Sequence, residues 1–301
     1  MKLAHSIKPD WIAVDWGTSN LRAFAMTEDG STLAEVSSDK GMSSLKPNDF
    51  EPTLRALLQD WETPSPCTVI ACGMVGSRQG WLEAPYRATP CMAQTATPIR
   101  VQNCGDDLQV WLIPGIKQND PADVMRGEET QIAGFLSLNS DWDGVICLPG
   151  THSKWVHVSA GEIISFRTFM TGELFDVISK GTVLRHSLDH TDMDTSAFDA
   201  AASETLSRPE KFSGNLFSLR AADLLNGQTS AVARAKLSGA LIGMELAASK
   251  PYWLGQRVAV IGTNNLSDLY QRALNQQSVT IERCDTAAVT RAGLCTAYAA
   301  I

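Results

Sequence analysis

The sequence has no apolar run approaching the ~20 residues that a membrane-spanning helix needs, no basic excess and no C-x-x-C pair. Each absence removes a class of protein. With no long apolar run, and with an opening MKLAHSIKPDW too polar for a signal peptide, a soluble cytoplasmic protein is expected. A formal charge of -8 and a pI near 5.1 give no electrostatic reason to bind nucleic acid or an anionic membrane, though a local cationic pocket for an acidic substrate stays open. The seven cysteines, at 67, 72, 91, 104, 147, 284 and 295, are an odd number and several lie in apolar strand-like runs. Reduced thiols account for them, and nothing in their spacing points to zinc. What is present is 301 residues, 44% hydrophobic and 19% charged, which is ample for a sizeable core and for two domains sooner than one.

The stretch Ile12 to Met26 organises the rest. Apolar residues up to Val14 predict a buried strand, Asp15-Trp16-Gly17-Thr18-Ser19-Asn20 interrupts it, and Leu21 to Met26 resumes as a second strand. Gly17 permits a tight turn, so that backbone N–H groups and the Thr18, Ser19 and Asn20 side chains can converge on an anion, with Asp15 placed for a metal. An ordinary polar hairpin explains the same six residues. Two later stretches, Pro149-Gly150-Thr151-His152-Ser153-Lys154 and Gly262-Thr263-Asn264-Asn265, repeat the sequence of apolar strand followed by Gly-Thr. Three-stranded meanders are expected at 12–37 and again at 145–170, which implies a pseudo-duplicated α/β protein.

Between these stretches, Asn48 and Glu51 predict a capping box for a helix carrying Phe50, Leu54, Leu57, Leu58 and Trp61. Cys67 to Cys72 is a strand of the kind buried on both faces, and it leads into a glycine-punctuated loop, Gly73 to Trp81, at its C-terminal end. Residues 82–109 show little periodicity and are expected to be irregular, followed by a strand at Val110 to Ile113. A helix over 128–138 opens on Glu128 and Glu129. Carboxylates there complement the helix dipole, or one of them serves as a general base towards an alcohol. Arg126 could steady an anion beside them. His152 suits a hydrogen-bonding loop residue, and Lys154 either a phosphate partner or a solvated lysine. A helix is expected from Thr171 to about Leu184, and mainly helix over 186–250, with Arg234, Lys236 and Glu245 on a solvated face. A strand at Arg257 to Ile261, a helix over 266–276, a strand at Ser278 to Arg283 and a small-residue helix after Asp285 complete the chain.

Five blocks together resemble the 2-dehydro-3-deoxygalactonokinase family: Asp15 to Arg22 (DWGTSNLR), Gly73 to Ser77 (GMVGS), Met125 to Gln131 (MRGEETQ), Pro149 to Trp155 (PGTHSKW), and Phe166-Arg167-Thr168 with Met170 to Leu174 (MTGEL). The resemblance spans nearly the whole chain. It implies the sugar kinase, actin and heat-shock chaperone superfamily: an α/β fold of two ribonuclease H-like domains, each a mixed sheet flanked by helices, with the nucleotide in an interdomain cleft. The implied domains are 1–135, with the helix 285–301 packing back on it, and 136–284, with a helical insertion at about 171–250.

The resemblance further implies ATP- and Mg²⁺-dependent phosphorylation of the terminal 6-hydroxyl of 2-dehydro-3-deoxy-D-galactonate, in galactonate catabolism. By position, Gly17, Thr18, Ser19 and Asn20 form the first phosphate loop, Gly150, Thr151, His152 and Lys154 the second, and Gly262 and Thr263 the adenosine element. Asp15 is the expected metal ligand. Glu128 is the expected base where related kinases carry an Asp, with Glu129 and Asp15 as alternatives. Met74, Gly76, Arg126, Arg167, Thr171 and Glu173 are the expected substrate lining. The expected partner is a small sugar acid, with neither nucleic acid nor membrane, and assembly with copies of itself stays open. Alternatives are a kinase for another sugar or keto-deoxy acid, such as the gluconate epimer, or a nucleotide- or sugar-binding sensor or assembling ATPase on the same scaffold.

Overall fold

Strongly apolar strands that alternate two buried faces set the architecture of the computed structural model, which describes residues 7–102, 104–188 and 192–301. Residues 1–6 of the polar opening, 103 in the expected irregular stretch, and 189–191 in the expected helical one lie outside the described residues. The chain divides into one unit of residues 1–142, 159–164 and 286–301, and a second of 143–158 and 165–285.

The first unit starts with β1 (Trp11–Trp16), β2 (Leu21–Met26) and β3 (Thr32–Ser38), an antiparallel meander. Helix α1 (Phe50–Leu57) follows, then β4 (Cys67–Cys72), which pairs parallel with β1. The predicted capping box at Asn48 does not form. The Asp49 carboxylate instead accepts from the Lys46 N–H at 3.0 Å, and a 3-10 turn at Pro47–Asp49 starts the helix. Trp61 lies beyond the helix in a bridge to Ile7.

The stretch 82–109, expected to be irregular, holds β5 (Tyr86–Ala88), β6 (Cys91–Met92), β7 (Ile99–Arg100) and the start of β8 (Leu108–Leu112). These segments, mostly two or three residues long, leave no period to detect. A hairpin of β9 (Gly115–Asn119) and β10 (Ala122–Met125) was also illegible, since strands of five and four residues show no clear apolar–polar alternation. Helix α2 (Glu128–Leu138) then runs over the predicted span.

The second unit repeats the plan. Strands β11 (Gly144–Leu148), β12 (Ser153–Ser159) and β13 (Glu162–Phe169) are followed by α3 (Thr171–Gly181), α4 (Thr195–Ser207), α5 (Phe212–Asn226), α6 (Ser230–Ala248) and the short α7 (Lys250–Trp253). Strand β14 (Val258–Ile261), α8 (Asn264–Asn275) and β15 (Ile281–Cys284) close it, and α9 (Thr286–Tyr298) returns to the first unit. The first sheet runs β3-β2-β1-β4-β8 and ends on β7; the second runs β6-β13-β12-β11-β14-β15. Apart from β7 and β6, the two orders correspond strand for strand.

Period-two alternation explains the layering of the first unit. Ile12, Val14, Val69 and Val110 face a core that holds Phe50 and Leu54 of α1, while Trp11, Ala13, Phe24 and Ile70 face one that holds Leu294 and Ala297 of α9. Both faces are covered, so β1 and β4 are apolar at nearly every position. Full burial of a side chain such as Ile12 or Phe24 contributes roughly 1.5–3 kcal/mol. In the second unit α6 is surrounded: Gly239 and Gly243 let it approach α4 until an added Cβ would lie 2.4 Å from the Phe198 and Ala202 carbonyl oxygens. Of the three charged residues expected on a solvated face of α6, Arg234 and Lys236 are half-buried, and Glu245 is only 2% exposed.

Helices α2 and α9 cross at backbone contact. A Cβ on Gly134 would stand 1.8 Å from the Val289 oxygen, and one on Gly293 1.9 Å from the Thr130 oxygen. Gly134→Ala gains about 1 kcal/mol of helix propensity but forces the helices apart, at a cost of about 1–3 kcal/mol or more. A lower thermal midpoint is expected for Gly134→Ala. Gly214→Ala in α5, where an added Cβ meets nothing within 4 Å, should raise the midpoint; calorimetry on both variants checks the contrast in sign.

Candidate active site

The first unit brings three of the sequence blocks into one stack of backbone. The β1–β2 turn closes with the Gly17 N–H on the Asn20 oxygen at 2.9 Å. Its own carbonyls at Gly17 and Thr18 are held by the N–H groups of Met42 and Ser43 at 2.9 and 3.0 Å, and Ser43 Oγ donates to the Thr18 oxygen at 2.8 Å. Thr18, Ser19 and Asn20 remain exposed at the tip. Below them Gly73, at φ +92°, lies so close to Trp16 that a Cβ would meet its oxygen at 2.7 Å. Gly127, at φ +108°, packs in turn on Gly73, 3.4 Å from an added Cβ. Left-handed backbone and absent side chains are both required here.

Carboxylates gather along this stack. Asp15 Oδ2 accepts from Arg22 Nη2 at 2.6 Å across the register pair that joins them. Cys72, at the end of β4, lies beneath Asp15, and burial pushes its thiol well above the ordinary range. At the start of α2, Glu128 Oε2 accepts from the Arg126 N–H at 3.1 Å, and Glu129 Oε2 accepts from the Gly127 N–H at 2.6 Å. Glu128 is half-buried, whereas Glu129 is only 2% exposed. Arg126, 8% exposed, turns inward: Nη2 donates to the Ala84 oxygen at 2.7 Å and the guanidinium lies 4.3 Å over the Tyr86 ring. Gly76 packs against Arg126 Nη1, so an added Cβ would be 3.0 Å away, and partly buried Met74 begins the same turn.

In the second unit the Gly150 loop is fastened to α3. The Glu173 N–H donates to the Thr151 oxygen at 3.0 Å, Gly172 sits against the Gly150 backbone, and His152 Nε2 meets Glu173 Oε2 at 2.5 Å. Lys154 is 4% exposed and donates to the His152 oxygen at 3.1 Å, so it is not a solvated strand lysine. Thr171 and Glu173 thus spend their polar groups inside this unit, while Arg167 is exposed on β13.

Sequence reasoning missed Glu245. Trp155 Nε1 donates to its Oε1 at 2.7 Å; Tyr270 Oη, at 2.6 Å, and Thr171 Oγ1 both donate to its Oε2. Burial pushes this carboxyl up, and the side-chain donors pull against that shift. The available signal was positional: Glu245 follows Leu241 and Ile242 by four and three residues and shares their apolar face. Beside it opens a pocket of about 230 Å³ lined by Gly150, Thr171, Ser238, Thr263, Leu266 and Tyr270 among others. Gly262 leads into it, with Thr263 capping α8.

A family model described as 2-keto-3-deoxy-galactonokinase matches residues 15–297. The chain belongs to the 2-keto-3-deoxy-galactonokinase family. Membership makes it a kinase, a phosphotransferase with an alcohol acceptor. A Rhizobium meliloti protein named as a probable 2-dehydro-3-deoxygalactonokinase is 40% identical over 301 residues, covering 97% of each chain. The 2-dehydro-3-deoxygalactonokinase of Escherichia coli K12 is 33% identical over 93% of this chain and 92% of its own. A solved Sinorhizobium meliloti structure, a candidate 2-dehydro-3-deoxygalactonokinase, superposes with a TM-score of 0.89 at 38% identity, covering 96% and 98% of the two chains. A Clostridium difficile activator of 2-hydroxyisocaproyl-CoA dehydratase shares the fold at a TM-score of 0.50 and 14% identity, covering 96% and 93%.

For a kinase the metal-ligand chemistry must fit. Among the described residues no group of three or more His, Cys, Asp or Glu could hold an ion. A single carboxylate such as Asp15 has donor chemistry that fits Mg²⁺, which keeps most of its ligands as water and phosphate oxygens and takes one or two carboxylates. Also among the described residues, no helix is long and apolar enough to cross a membrane.

The Glu129 carboxyl is pushed up to about 8 from an ordinary 4.5, first by burial and then by the Glu128 charge, against backbone N–H bonds and Arg126. Between those values the folded state holds a proton that the unfolded chain has released. This contribution to stability is full below the unfolded value and is lost as pH rises through about 8, by at most ~1.4 kcal/mol per pH unit. Glu129→Gln keeps a neutral group at every pH. Thermal midpoints measured from about pH 5 to about pH 9 should therefore fall more steeply for the natural chain than for Glu129→Gln.

Proposed function

We propose that the chain transfers the γ-phosphoryl group of ATP to the 6-hydroxyl of 2-dehydro-3-deoxy-D-galactonate. The observation that carries this reading is the family match over residues 15–297, which spans every block the reading uses. In the second unit, the pocket beside Gly150 and Thr263 takes the adenosine portion. Arg234, stacked 4.8 Å over Phe175 at its edge, supplies a cationic face for the base. Gly150, Thr151, His152 and Lys154 hold phosphates. In the first unit, Gly17 to Asn20 seat the terminal phosphate, and Asp15, oriented by Arg22, is the protein's ligand to Mg²⁺. That ion neutralises charge on the phosphate oxygens when bound.

Glu128 accepts the alcohol proton. Its rivals are disfavoured on physical grounds: Glu129 is buried and protonated near neutral pH, and Asp15 is engaged by Arg22. The Arg126 N–H orients the Glu128 carboxylate, and proton transfer to it occurs late in a loose transition state. Exposed Arg167 meets the substrate carboxylate. Arg126, Met74 and Gly76 shape the acceptor side, while Thr171 and Glu173 act by holding the Gly150 loop. The seven cysteines are free thiols, which suits a reducing cytoplasm, and the net charge of -8 suits neither nucleic acid nor an anionic surface.

ATP consumption with Mg²⁺ should be strong with 2-dehydro-3-deoxygalactonate and weak with its gluconate epimer, galactonate, a neutral sugar, or no acceptor. Acceptor-independent hydrolysis, or nucleotide binding without turnover, would favour a sensor or switch instead. Glu128→Gln should lower kcat by about 100-fold or more with little change in ADP affinity. Near-normal turnover in that variant removes Glu128 from the role.

A further inference from the structure

We infer that Glu245 is a positioning residue for the nucleotide subsite, a buried carboxylate that holds the Gly150 loop, the first turn of α3 and the start of β12 in one arrangement. The inference rests on the reading that the adjoining pocket takes the adenosine portion of ATP.

The geometry is a branched chain of hydrogen bonds. On one branch Tyr270 Oη donates to Glu245 Oε2 at 2.6 Å, Tyr270 and Ser153 Oγ are 2.8 Å apart, and the Gly150 N–H points at Ser153 Oγ at 3.5 Å. On the second, Thr171 Oγ1 donates to the same carboxylate oxygen, and the residues after Thr171 grip the Gly150–Thr151 backbone. On the third, the Trp155 indole N–H donates to Oε1 at 2.7 Å, fixing β12 just after the loop. An indole N–H can only donate, and two hydroxyls share the other oxygen. Only an acceptor-rich group satisfies all three at once, which is why a carboxylate stands on an otherwise apolar helix face. Gly150, Thr171 and Tyr270 line the pocket, while Glu245 and Ser153 are not among its walls. Glu245 therefore acts through the walls, by removing the freedom that a ligand would otherwise have to freeze.

ADP binding by calorimetry tests this alongside separate KM values for ATP and for the sugar acid. Glu245→Gln keeps the shape but turns two acceptor sites into donors. Ser153→Ala cuts only the branch to Gly150. Each should weaken ADP binding by about three- to tenfold, the worth of one net hydrogen bond. KM for ATP should rise in step, and KM for the sugar acid should stay unchanged. If Glu245 acts through Ser153, the double variant should lose less than the product of the two single losses. Ser238→Trp, which fills the pocket, serves as the reference. Should Ser238→Trp weaken ADP binding while Glu245→Gln and Ser153→Ala do not, the role of Glu245 is overturned and the pocket reading stands. Unchanged ADP binding in Ser238→Trp overturns both. Where Glu245→Gln fails to fold, Ser153→Ala decides alone, and equal changes in both KM values for it count against positioning.

Discussion

Backbone contact at Trp16, Gly73 and Gly127 is the constraint on which the first unit's chemistry depends. Three segments far apart in the chain meet there with no side chain between them. Two of the glycines adopt backbone conformations that L side chains rarely reach. The ends of β1 and β4 and the start of α2 are thereby brought together, so Asp15, Cys72 and the Glu128–Glu129 pair become neighbours. None of these carboxylates needs a long reach, because the backbone has already placed them.

Burial then assigns different work to the same functional group. Asp15 and Glu128 are half-buried and keep a share of solvent. Glu129, one residue on from Glu128, is sealed and holds a proton near neutral pH. In the second unit Glu245 is sealed as well, but with donors from three different segments it becomes a structural junction. The two sheets share a core strand order, yet the first unit's sealed carboxylate sits at the start of a helix and the second's in the last turn of one.

The major elements were legible because periodicity and punctuation agreed. The strands of both meanders, α2 and α6 fall within a residue or two of their expected spans, and the duplicated plan follows from the recurring Gly-Thr turns. Segments of two or three residues between 82 and 109, and the short β9–β10 hairpin, carry too few residues to show a period. The failures at α6 and Lys154 have a different cause. Charge at those positions was taken to mean solvent, and partners contributed from distant segments reverse that rule. Likewise Thr171 and Glu173 stand within a readable motif, but which neighbour absorbs their polar groups depends on tertiary structure.

Helix α9 lies more than 140 residues beyond α2, yet it covers a face of the first sheet: Leu294 and Ala297 pack on Trp11, Phe24 and Ile70, and Tyr298 stacks on Trp11 with ring centroids 4.3 Å apart. During synthesis, that apolar face is made well before α9, the helix that covers it. The intervening 143 to 285 segment is made in the meantime, so the first unit to be translated is the last to be completed.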